Sequence, residues 1–300
     1  MVDNYARFAW YELLTTDMAA ARTFYSSVLG WRTHDASTPQ FSYSVFSAGE
    51  TAICGLMDLP PDGQQAGATP RWVGYIAVDD IRGTVDQLRR RGGKVFVPPT
   101  ETNIGLISIV ADPQGATLAL AQDLKQGQPQ IELGEAGHVG WHELFAADWT
   151  TAFAFYSELF GWQRAQADIG STDSYQLLSA GGRRLGGMFT KLPMAPFPFW
   201  LYYFNVPDIA VAAKRVTDGG GRIAQGPTQL PDTGWVVRCI DPQGAMFAQQ
   251  GATNQSGIEQ LSTVELGWSA EWGGFTSRGK VSAKPAAKKP GPKPSAKPKR

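Results

Sequence analysis

The sequence predicts an α+β protein of two tandem domains, each of which pairs two βαβββ modules. Three observations support this prediction. A set of short motifs occurs twice, 131 residues apart, each half contains a weaker repeat of its own, and short β-rich runs alternate with helical segments. Solenoid repeats are only about 20 to 50 residues long, so the longer period indicates a duplicated domain.

The long repeat is carried by motifs that are identical or nearly so. Trp10-Tyr11-Glu12-Leu13 corresponds to Trp141-His142-Glu143-Leu144. The same offset relates three further pairs: Asp17 and Asp148, Phe24-Tyr25 and Phe155-Tyr156, and Gly30-Trp31 and Gly161-Trp162. Small insertions and deletions reduce the offset to 129 for Asp112-Pro113-Gln114-Gly115 and Asp241-Pro242-Gln243-Gly244, and to 128 for Trp72 and Trp200.

Four windows of the chain have the pattern of a capped helix. Each begins with an Asp, which suits a helix N-cap, and ends with a Gly, which suits a helix C-terminus; the windows are 17–30, 80–93, 148–161 and 208–221. Apolar residues at positions 20, 21, 24, 25, 28 and 29 have helical spacing. The sequence therefore predicts helices over 18–29 and 81–91, with two counterparts in the second half.

Short β-rich runs fill the space between these helices. In the first half they cover 41–48, 51–57, 72–78, 94–97, 106–110 and 117–121. Pro113 and Gly115 favour a tight turn before the last of these runs. Gly181-Gly182 is typical of a hairpin turn, and Gly219-Gly220-Gly221 of a helix end.

The charge is distributed unevenly along the chain. The 27 basic residues equal the 27 acidic ones, but residues 278–300 hold nine basic residues and no acidic one. The rest of the chain therefore carries 18 basic and 27 acidic residues, a net charge of −9. We expect this Lys/Pro/Ala-rich tail to be disordered and to make weak contact with polyanions or nucleic acid.

We divide the chain into domain 1 over 1–122, a polar linker over 123–136, domain 2 over 137–250, an aromatic extension over 251–277 and the tail. We expect each domain to have its own core.

Two cysteines, Cys54 and Cys239, exclude a disulfide scaffold and lie in apolar runs, so we expect buried, inert thiols. The absence of a long apolar run argues against a membrane span, and we expect a cytoplasmic protein.

The duplicated motifs resemble the vicinal oxygen chelate superfamily, which includes glyoxalases, bleomycin-resistance proteins and extradiol dioxygenases. The resemblance rests on the Asp before an Ala-rich helix, on Phe24-Tyr25 with Gly30-Trp31, and on the turn at 112–115, all found twice. It covers about 7–122 and 138–250 and is closest to two-domain bacterial glyoxalase-like proteins. It implies a curved, mainly antiparallel sheet around a cup in each domain.

The resemblance also implies where a metal ion would bind. Metalloenzymes of the family place ligands on the first strand of a module, seven residues before the capping Asp, and on the last strand, seven residues after the Asp of the turn. The matching positions here are all apolar: Trp10, Val73, Ala119, Trp141, Leu201 and Ala248. Side chains of these types offer no metal ligand, so we expect no metal and no other cofactor.

The three histidines, His34, His138 and His142, form no ligand spacing. We expect each of them to have a structural or surface role rather than to rebuild a metal site. His142 follows Trp141 directly, so on a strand it should face the opposite side of the sheet.

The candidate ligand-binding residues lie on the predicted strands. Side chains alternate along a strand, so Trp10 and Glu12 share one face, and Trp141 and Glu143 share the equivalent face. Tyr75 and Tyr203 occupy the matching position in the second module of each domain. The resemblance implies that this face lines the cup.

These six residues have two interpretations. The glutamates either hold a polar or cationic ligand group, or act as a general base with a raised pKa. Alternatively, each pairs with an internal arginine, such as Arg71 or Arg238, or faces water, and the tyrosines are ordinary core residues.

The function that we predict is metal-independent binding of a small apolar or aromatic ligand. One alternative is a lyase, isomerase or dioxygenase of the same superfamily with a non-standard site. Another is a scaffold that the basic tail localises on nucleic acid.

Overall fold

The computed structural model describes residues 6–39, 41–65, 67–102, 104–125, 134–165, 175–193, 195, 197–230 and 234–253. Most of the predicted linker, nearly all of the aromatic extension and the whole basic tail lie outside these residues. The predictions for those segments therefore stay predictions.

The described part of the first half forms eight strands and three helices. In chain order these are β1 (Arg7–Thr15), α1 (Met18–Leu29), β2 (Arg32–Asp35), β3 (Tyr43–Ala48), β4 (Thr51–Asp58), α2 (Pro61–Gln65), β5 (Arg71–Ala77), α3 (Ile81–Arg90), β6 (Lys94–Thr102), β7 (Gly105–Ala111) and β8 (Thr117–Gln122).

The second half repeats this order without a counterpart of α2 among the described residues. Its elements are β9 (Val139–Ala146), α4 (Trp149–Phe160), β10 (Gln163–Ala165), β11 (Tyr175–Ala180), β12 (Arg183–Thr190), β13 (Phe199–Val206), α5 (Ile209–Asp218), β14 (Arg222–Leu230), β15 (Gly234–Ile240) and β16 (Met246–Gly251).

Each half forms one eight-stranded mixed sheet, and the α+β prediction of two tandem domains is confirmed. The strand order is β2-β3-β4-β1-β5-β8-β7-β6 in the first sheet and β10-β11-β12-β9-β13-β16-β15-β14 in the second. The two modules of a domain meet at the centre, where β1 runs antiparallel to β5 and β9 to β13. The pairs β1–β4 and β5–β8 are parallel, as are their counterparts.

The predicted Asp N-caps are present in all four modules, whereas the predicted Gly ends of the windows hold only for α1 and α4, since the C-cap is Arg91 in α3 and Gly219 in α5. The side chains of Asp17, Asp80, Asp148 and Asp208 each accept a hydrogen bond from a backbone N–H in the first turn. Gly30 and Gly161 end α1 and α4 with a φ of 72°, a left-handed conformation that glycine adopts without steric cost.

Two local features differ from the sequence prediction. The short helix α2 was not predicted, and β6 continues past Val97 through two prolines to Thr102. Proline cannot donate to the ladder of a central strand, but β6 lies at the edge of its sheet. The ladder between β6 and β7 is also irregular at this point.

The expectation of separate domain cores is wrong. The main apolar cluster includes residues of both domains, among them Phe8, Trp31, Trp162 and Phe204. The indole N–H of Trp31 donates to the carbonyl oxygen of Gly137 at 2.9 Å, and that of Trp162 donates to the carbonyl oxygen of Ala6 at 2.8 Å. The helix-bearing faces of the two sheets thus share one core, because neither domain covers its own aromatic residues.

The duplicated motif residues form this interface. Tyr25 donates to Asp241 at 3.0 Å, and Tyr156 donates to Asp112 at 3.1 Å. The two tyrosines in turn accept hydrogen bonds from the indoles of Trp72 and Trp200. Each turn therefore anchors the opposite domain as well as the hairpin in which it lies.

Among the described residues, no helix is long and apolar enough to cross a membrane.

Candidate ligand sites in the two cups

The face of each sheet that points away from the shared core carries a small cluster of its own. We call the first cluster cup 1; its buried members are Trp10, Tyr43, Val45, Val73, Tyr75, Ala119 and Ala121. We call the second cup 2; it contains Phe145, Phe189, Leu201, Tyr203 and Ala248, with Trp141, Tyr175 and Phe199 packed against them.

The structure brings the predicted residues together within each cup. Trp10 on β1 lies opposite Tyr75 on β5, and Glu12 lies one pleat further along the same face. Trp141 lies opposite Tyr203 in the same way, next to Glu143. All of these residues except the partly exposed Trp141 are buried. Their use by a ligand stays a prediction.

The six positions that would hold a metal ion in the family also lie in the cups. Trp10, Val73 and Ala119 belong to cup 1, and Trp141, Leu201 and Ala248 belong to cup 2. None of these side chains has an oxygen, a sulfur or an imidazole nitrogen to offer to a cation. Across the described ranges, no group of three or more His, Cys, Asp or Glu residues could hold a metal ion. These residues therefore do not fit the metal of the family.

Glu12 is a buried carboxylate held by a single hydrogen bond. It is 5% exposed, and its Oε2 accepts a hydrogen bond of 2.5 Å from the hydroxyl of Tyr75. Burial raises the pKa of Glu12, and the hydroxyls of Tyr75 and Tyr43 only partly oppose that shift. No lysine or arginine among the described residues forms an ion pair with it, so the alternative in which Glu12 pairs with an internal arginine such as Arg71 does not hold. Glu12 Oε1 thus remains available to a hydrogen-bond donor.

Two further polar groups in cup 1 lack a partner. The indole N–H of Trp10 and the hydroxyl of Tyr43 are buried and form no hydrogen bond with any described residue. The Tyr43 hydroxyl lies beside both Glu12 and the indole of Trp10. Burial and the charge of Glu12 raise the pKa of this hydroxyl, but neither contact meets hydrogen-bond geometry. Leaving a buried polar group unpaired costs roughly 1 to 3 kcal/mol, so these atoms are candidates for ligand contact.

In cup 2, the residues that correspond to Trp10, Glu12, Tyr43 and Tyr75 all have hydrogen-bond partners. Glu143 Oε2 accepts hydrogen bonds of 2.6 Å from the hydroxyl of Tyr203 and of 2.6 Å from Nη2 of Arg238. Nε of Arg238 donates to Tyr203 at 2.9 Å, and Nη1 donates to Gln225. The indole of Trp141 donates to the hydroxyl of Tyr175 at 3.1 Å. For Glu143 the structure therefore has the alternative in which the carboxylate pairs with an internal arginine, and that arginine is Arg238.

Electrostatics reinforces this ion pair. Burial by itself would lower the pKa of Arg238. The charge of Glu143, the charge of Tyr203 and the hydrogen bonds to both groups together outweigh burial, so the net shift is upward. The guanidinium also lies over the rings of Phe145 and Phe189, 4.9 and 6.0 Å from their centroids. Arg238 is thus fixed on every side by groups of its own chain.

Sequence reasoning missed Tyr43 and Tyr175 as members of the cups. Both occupy the same register position, opposite Met57 and Phe189 respectively, on β3 and β11, each of which is separated from the central pair by one strand. An alignment of the two halves would have shown a tyrosine at both places. The lack of a partner for Tyr43 required the tertiary structure.

The histidines and cysteines lie outside the cups. His142 faces the shared core, as the alternation predicts, and stacks on Phe8 with ring centroids 4.1 Å apart. His138 is buried near Glu135, and His34 is exposed on β2. Cys54 and Cys239 are free and fully buried, and burial raises the pKa of both thiols. Thiols in this state are poor nucleophiles.

Comparison with known proteins agrees with this architecture. The family model for the glyoxalase/bleomycin resistance protein/dioxygenase superfamily matches residues 7–120 and 136–248. Solved structures with the same fold include a Mn(II)-bound glyoxalase from Novosphingobium aromaticivorans, with a TM-score of 0.57 and 15% identity over 84% of this chain and 83% of that one. The 2,3-dioxygenase LapB from Pseudomonas sp. KL28 has a TM-score of 0.60 and 14% identity over 84% and 94%.

Two relatives with higher sequence identity are matched over about nine tenths of their own length. The chain is 33% identical to the putative glyoxylase CFP32 of Mycobacterium tuberculosis over 80% of this chain and 92% of that protein. It is 29% identical to the anthracycline biosynthesis protein DauV of a Streptomyces species over 80% and 91%. The chain therefore belongs to the glyoxalase/bleomycin resistance protein/dioxygenase superfamily.

Proposed function

We propose that this protein binds a small apolar or aromatic ligand in one or both cups without using a metal ion. The observation that carries the proposal is the pair of buried, unpartnered donors of cup 1, the Trp10 indole and the Tyr43 hydroxyl, beside the half-satisfied Glu12. Indole and phenol rings offer flat surfaces for stacking, and a few convergent polar groups fix the orientation of a ligand.

A flat polycyclic probe suits the test, because one relative is named as an anthracycline biosynthesis protein. An anthracycline aglycone has a flat ring system with hydroxyl and carbonyl groups that can meet the donors of cup 1. We expect it to raise the melting temperature and to quench tryptophan fluorescence in proportion to binding. The full-length protein is used throughout.

Trp10→Phe is the decisive variant, since it keeps an aromatic ring and removes the indole N–H. Trp141→Phe is the matched control in the other domain. We expect the Trp10 variant to weaken binding about fivefold or more, because one hydrogen bond is worth roughly 1 kcal/mol. If a broad screen of flat ligands gives no quenching and no thermal shift with the wild-type protein, the cups are closed cores and the proposal is wrong.

Catalysis by Glu12 is the second candidate, and the raised pKa of this carboxyl favours it. A buried carboxylate with one free oxygen suits a general base. The relative named as a putative glyoxylase suggests the hemithioacetal of methylglyoxal and glutathione as the test substrate. Turnover that survives chelation and disappears in Glu12→Gln would establish this function; turnover that is lost on chelation would contradict metal independence.

A further inference from the structure

We propose that cup 1 alone takes the ligand, and that the ligand is a flat apolar acid whose anionic group meets Arg71. This inference rests on the proposed function, and it narrows that function to one domain and one class of compound. It follows from comparing the two cups position by position, with the strand register as the guide.

Cup 2 is filled by its own side chains. The ring of Phe145 lies 4.5 Å from that of Phe189 and 4.5 Å from that of Phe199, with the latter pair stacked at 13°. Arg238 covers the first two rings and binds Glu143 and Tyr203. A ligand would have to break a buried ion pair to enter, which costs several kcal/mol. Cup 2 is therefore a structural element.

The equivalent positions of cup 1 carry other residues. Phe145 lies opposite Phe189 and Phe199 in the sheet, whereas Leu14 lies opposite Met57 and Arg71. Arg238 lies opposite Ala248, whereas Ile109 lies opposite Ala119. Cup 1 therefore has Leu14, Met57 and Arg71 at the positions of the three phenylalanines of cup 2. It has Ile109 at the position of Arg238.

Three of the residues at the wall of cup 1 are only partly covered by the chain. Leu14, Met57 and Ile109 are only partly buried, although each packs against the cluster that contains Trp10. Methionine adapts its shape readily, which suits a wall that has to admit a guest. A flat ligand lying between these side chains would cover apolar surface that now faces solvent.

Arg71 is the cation of this wall, and it lacks a partner. Its position on β5 is two residues before Val73, on the same face as Val73 and Tyr75. The side chain is partly buried, and its guanidinium forms no ion pair or hydrogen bond with any described residue. Burial lowers the pKa of Arg71, and no carboxylate opposes that shift. A guanidinium pairs best with a planar carboxylate, so an acidic ligand group is the natural counter-ion.

The spacing of the polar groups indicates the shape of the ligand. Arg71 lies one pleat beyond the Glu12–Val73 pair, which corresponds to about 7 Å along the strand. A hydroxyl at the other end of the ligand would donate to Glu12 Oε1 and accept from the indole of Trp10. We therefore infer a rigid aromatic acid with a hydroxyl group opposite its carboxylate.

The test uses 6-hydroxy-2-naphthoic acid as the probe, with 2-naphthol, which lacks the carboxylate, as its neutral counterpart. Isothermal titration calorimetry of the full-length protein gives the number of sites and the affinity. We expect one site per chain. Arg71→Met should weaken binding of the acid about tenfold or more, because hydrogen bonds to charged groups are strong, and should leave binding of 2-naphthol unchanged.

Phe199→Leu, at the counterpart of Arg71 in cup 2, is the matched control and should leave both affinities unchanged. Two sites per chain, or loss of binding in the Phe199 variant, would overturn the assignment to cup 1. Equal loss of both probes in Arg71→Met, or tighter binding of 2-naphthol than of the acid by the wild-type protein, would overturn the role of Arg71. Each of these results leaves the proposed function standing, whereas failure of every flat ligand to bind removes both.

Discussion

The hydroxyl of Tyr11 lies 2.5 Å from Nε2 of His142, its own counterpart in the duplicated domain. Nδ1 of the same imidazole lies 2.6 Å from the carbonyl oxygen of Leu185, which can only accept, so Nδ1 carries the proton and Nε2 accepts from Tyr11. The Gly74 N–H donates to Tyr202, another pair of counterparts. Counterparts can touch in this way only on a pseudo-two-fold axis, so the axis passes through these pairs.

The first prediction concerns the stability of this interface at acid pH. Burial lowers the pKa of His142 from 6.5 to about 4, so the unfolded chain binds a proton more tightly than the folded one. The stabilising effect of neutral His142 is complete above pH 6.5 and is lost as the pH falls toward 4. The loss amounts to about 3 kcal/mol.

His142→Gln is the comparison, because an amide can still accept from Tyr11 and donate to Leu185 but does not titrate. Urea denaturation at several pH values between 7 and 4 should show the wild-type protein losing about 3 kcal/mol more than the variant. Parallel curves for the two proteins would mean that His142 has the same pKa in the folded and unfolded states, which contradicts the prediction. Buried carboxyl groups titrate in both proteins and cancel in the difference.

The second prediction contrasts the two glutamates. Glu143→Gln should destabilise the protein by about 3 to 5 kcal/mol, because it leaves the buried guanidinium of Arg238 without its carboxylate. The free energy of unfolding from urea titration at pH 7 measures this loss. A change below about 1 kcal/mol, within the range of an exposed pair, would show that water screens the pair.

Glu12→Gln should behave in the opposite way. Burial raises the pKa of Glu12, so the folded state favours the neutral acid. The contribution of Glu12 to the free energy of unfolding is therefore lost as the pH rises through its pKa in the folded state. The variant has no such charge, so it should gain stability relative to the wild-type protein between pH 4.5 and pH 8. A variant that is less stable at pH 8 than at pH 5, relative to wild type, would indicate a cation near Glu12.

The third prediction concerns metal content. The six family positions carry Trp, Val, Leu and Ala side chains, so purified protein should contain no stoichiometric Zn, Ni, Fe or Mn. Elemental analysis by mass spectrometry checks this, with a metal-dependent glyoxalase purified in parallel as the positive control. One metal ion per domain, lost together with an activity on chelation, would contradict the proposed function.

The fourth prediction concerns the basic tail. Deleting residues 278–300 should leave the melting temperature unchanged, since the segment offers no apolar residue larger than Val281. The full-length protein should be retained on heparin at low salt and released as the salt concentration rises, because the contact is electrostatic. Equal retention of the truncated protein would remove both the polyanion contact and the scaffold alternative that depends on it.

Much of the fold could be predicted because its signals are local. An Asp that caps a helix and a Gly that ends it act within one turn, so Asp17, Asp148 and their counterparts predicted where the helices begin. The two-residue alternation likewise predicted that Trp10 and Glu12 share a face. The short helix α2 was missed, since five residues that start with a proline carry too little periodicity.

The amino-acid sequence by itself determined the modules, their duplication and the apolar character of the metal positions, since each depends on residue type and spacing alone. The tertiary structure decided the rest. The shared core and the contact of Tyr11 with His142 arise only when two domains pack around an axis. The difference between the cups depends on residues of strands that are distant in sequence from the two glutamates, Ile109 on β7 in cup 1 and Arg238 on β15 in cup 2. Arg238 pairs with Glu143 in cup 2, whereas Ile109, at the matching position of cup 1, offers Glu12 no cation. No local sequence pattern connects Arg238 to Glu143, so only the folded sheet could show this pair.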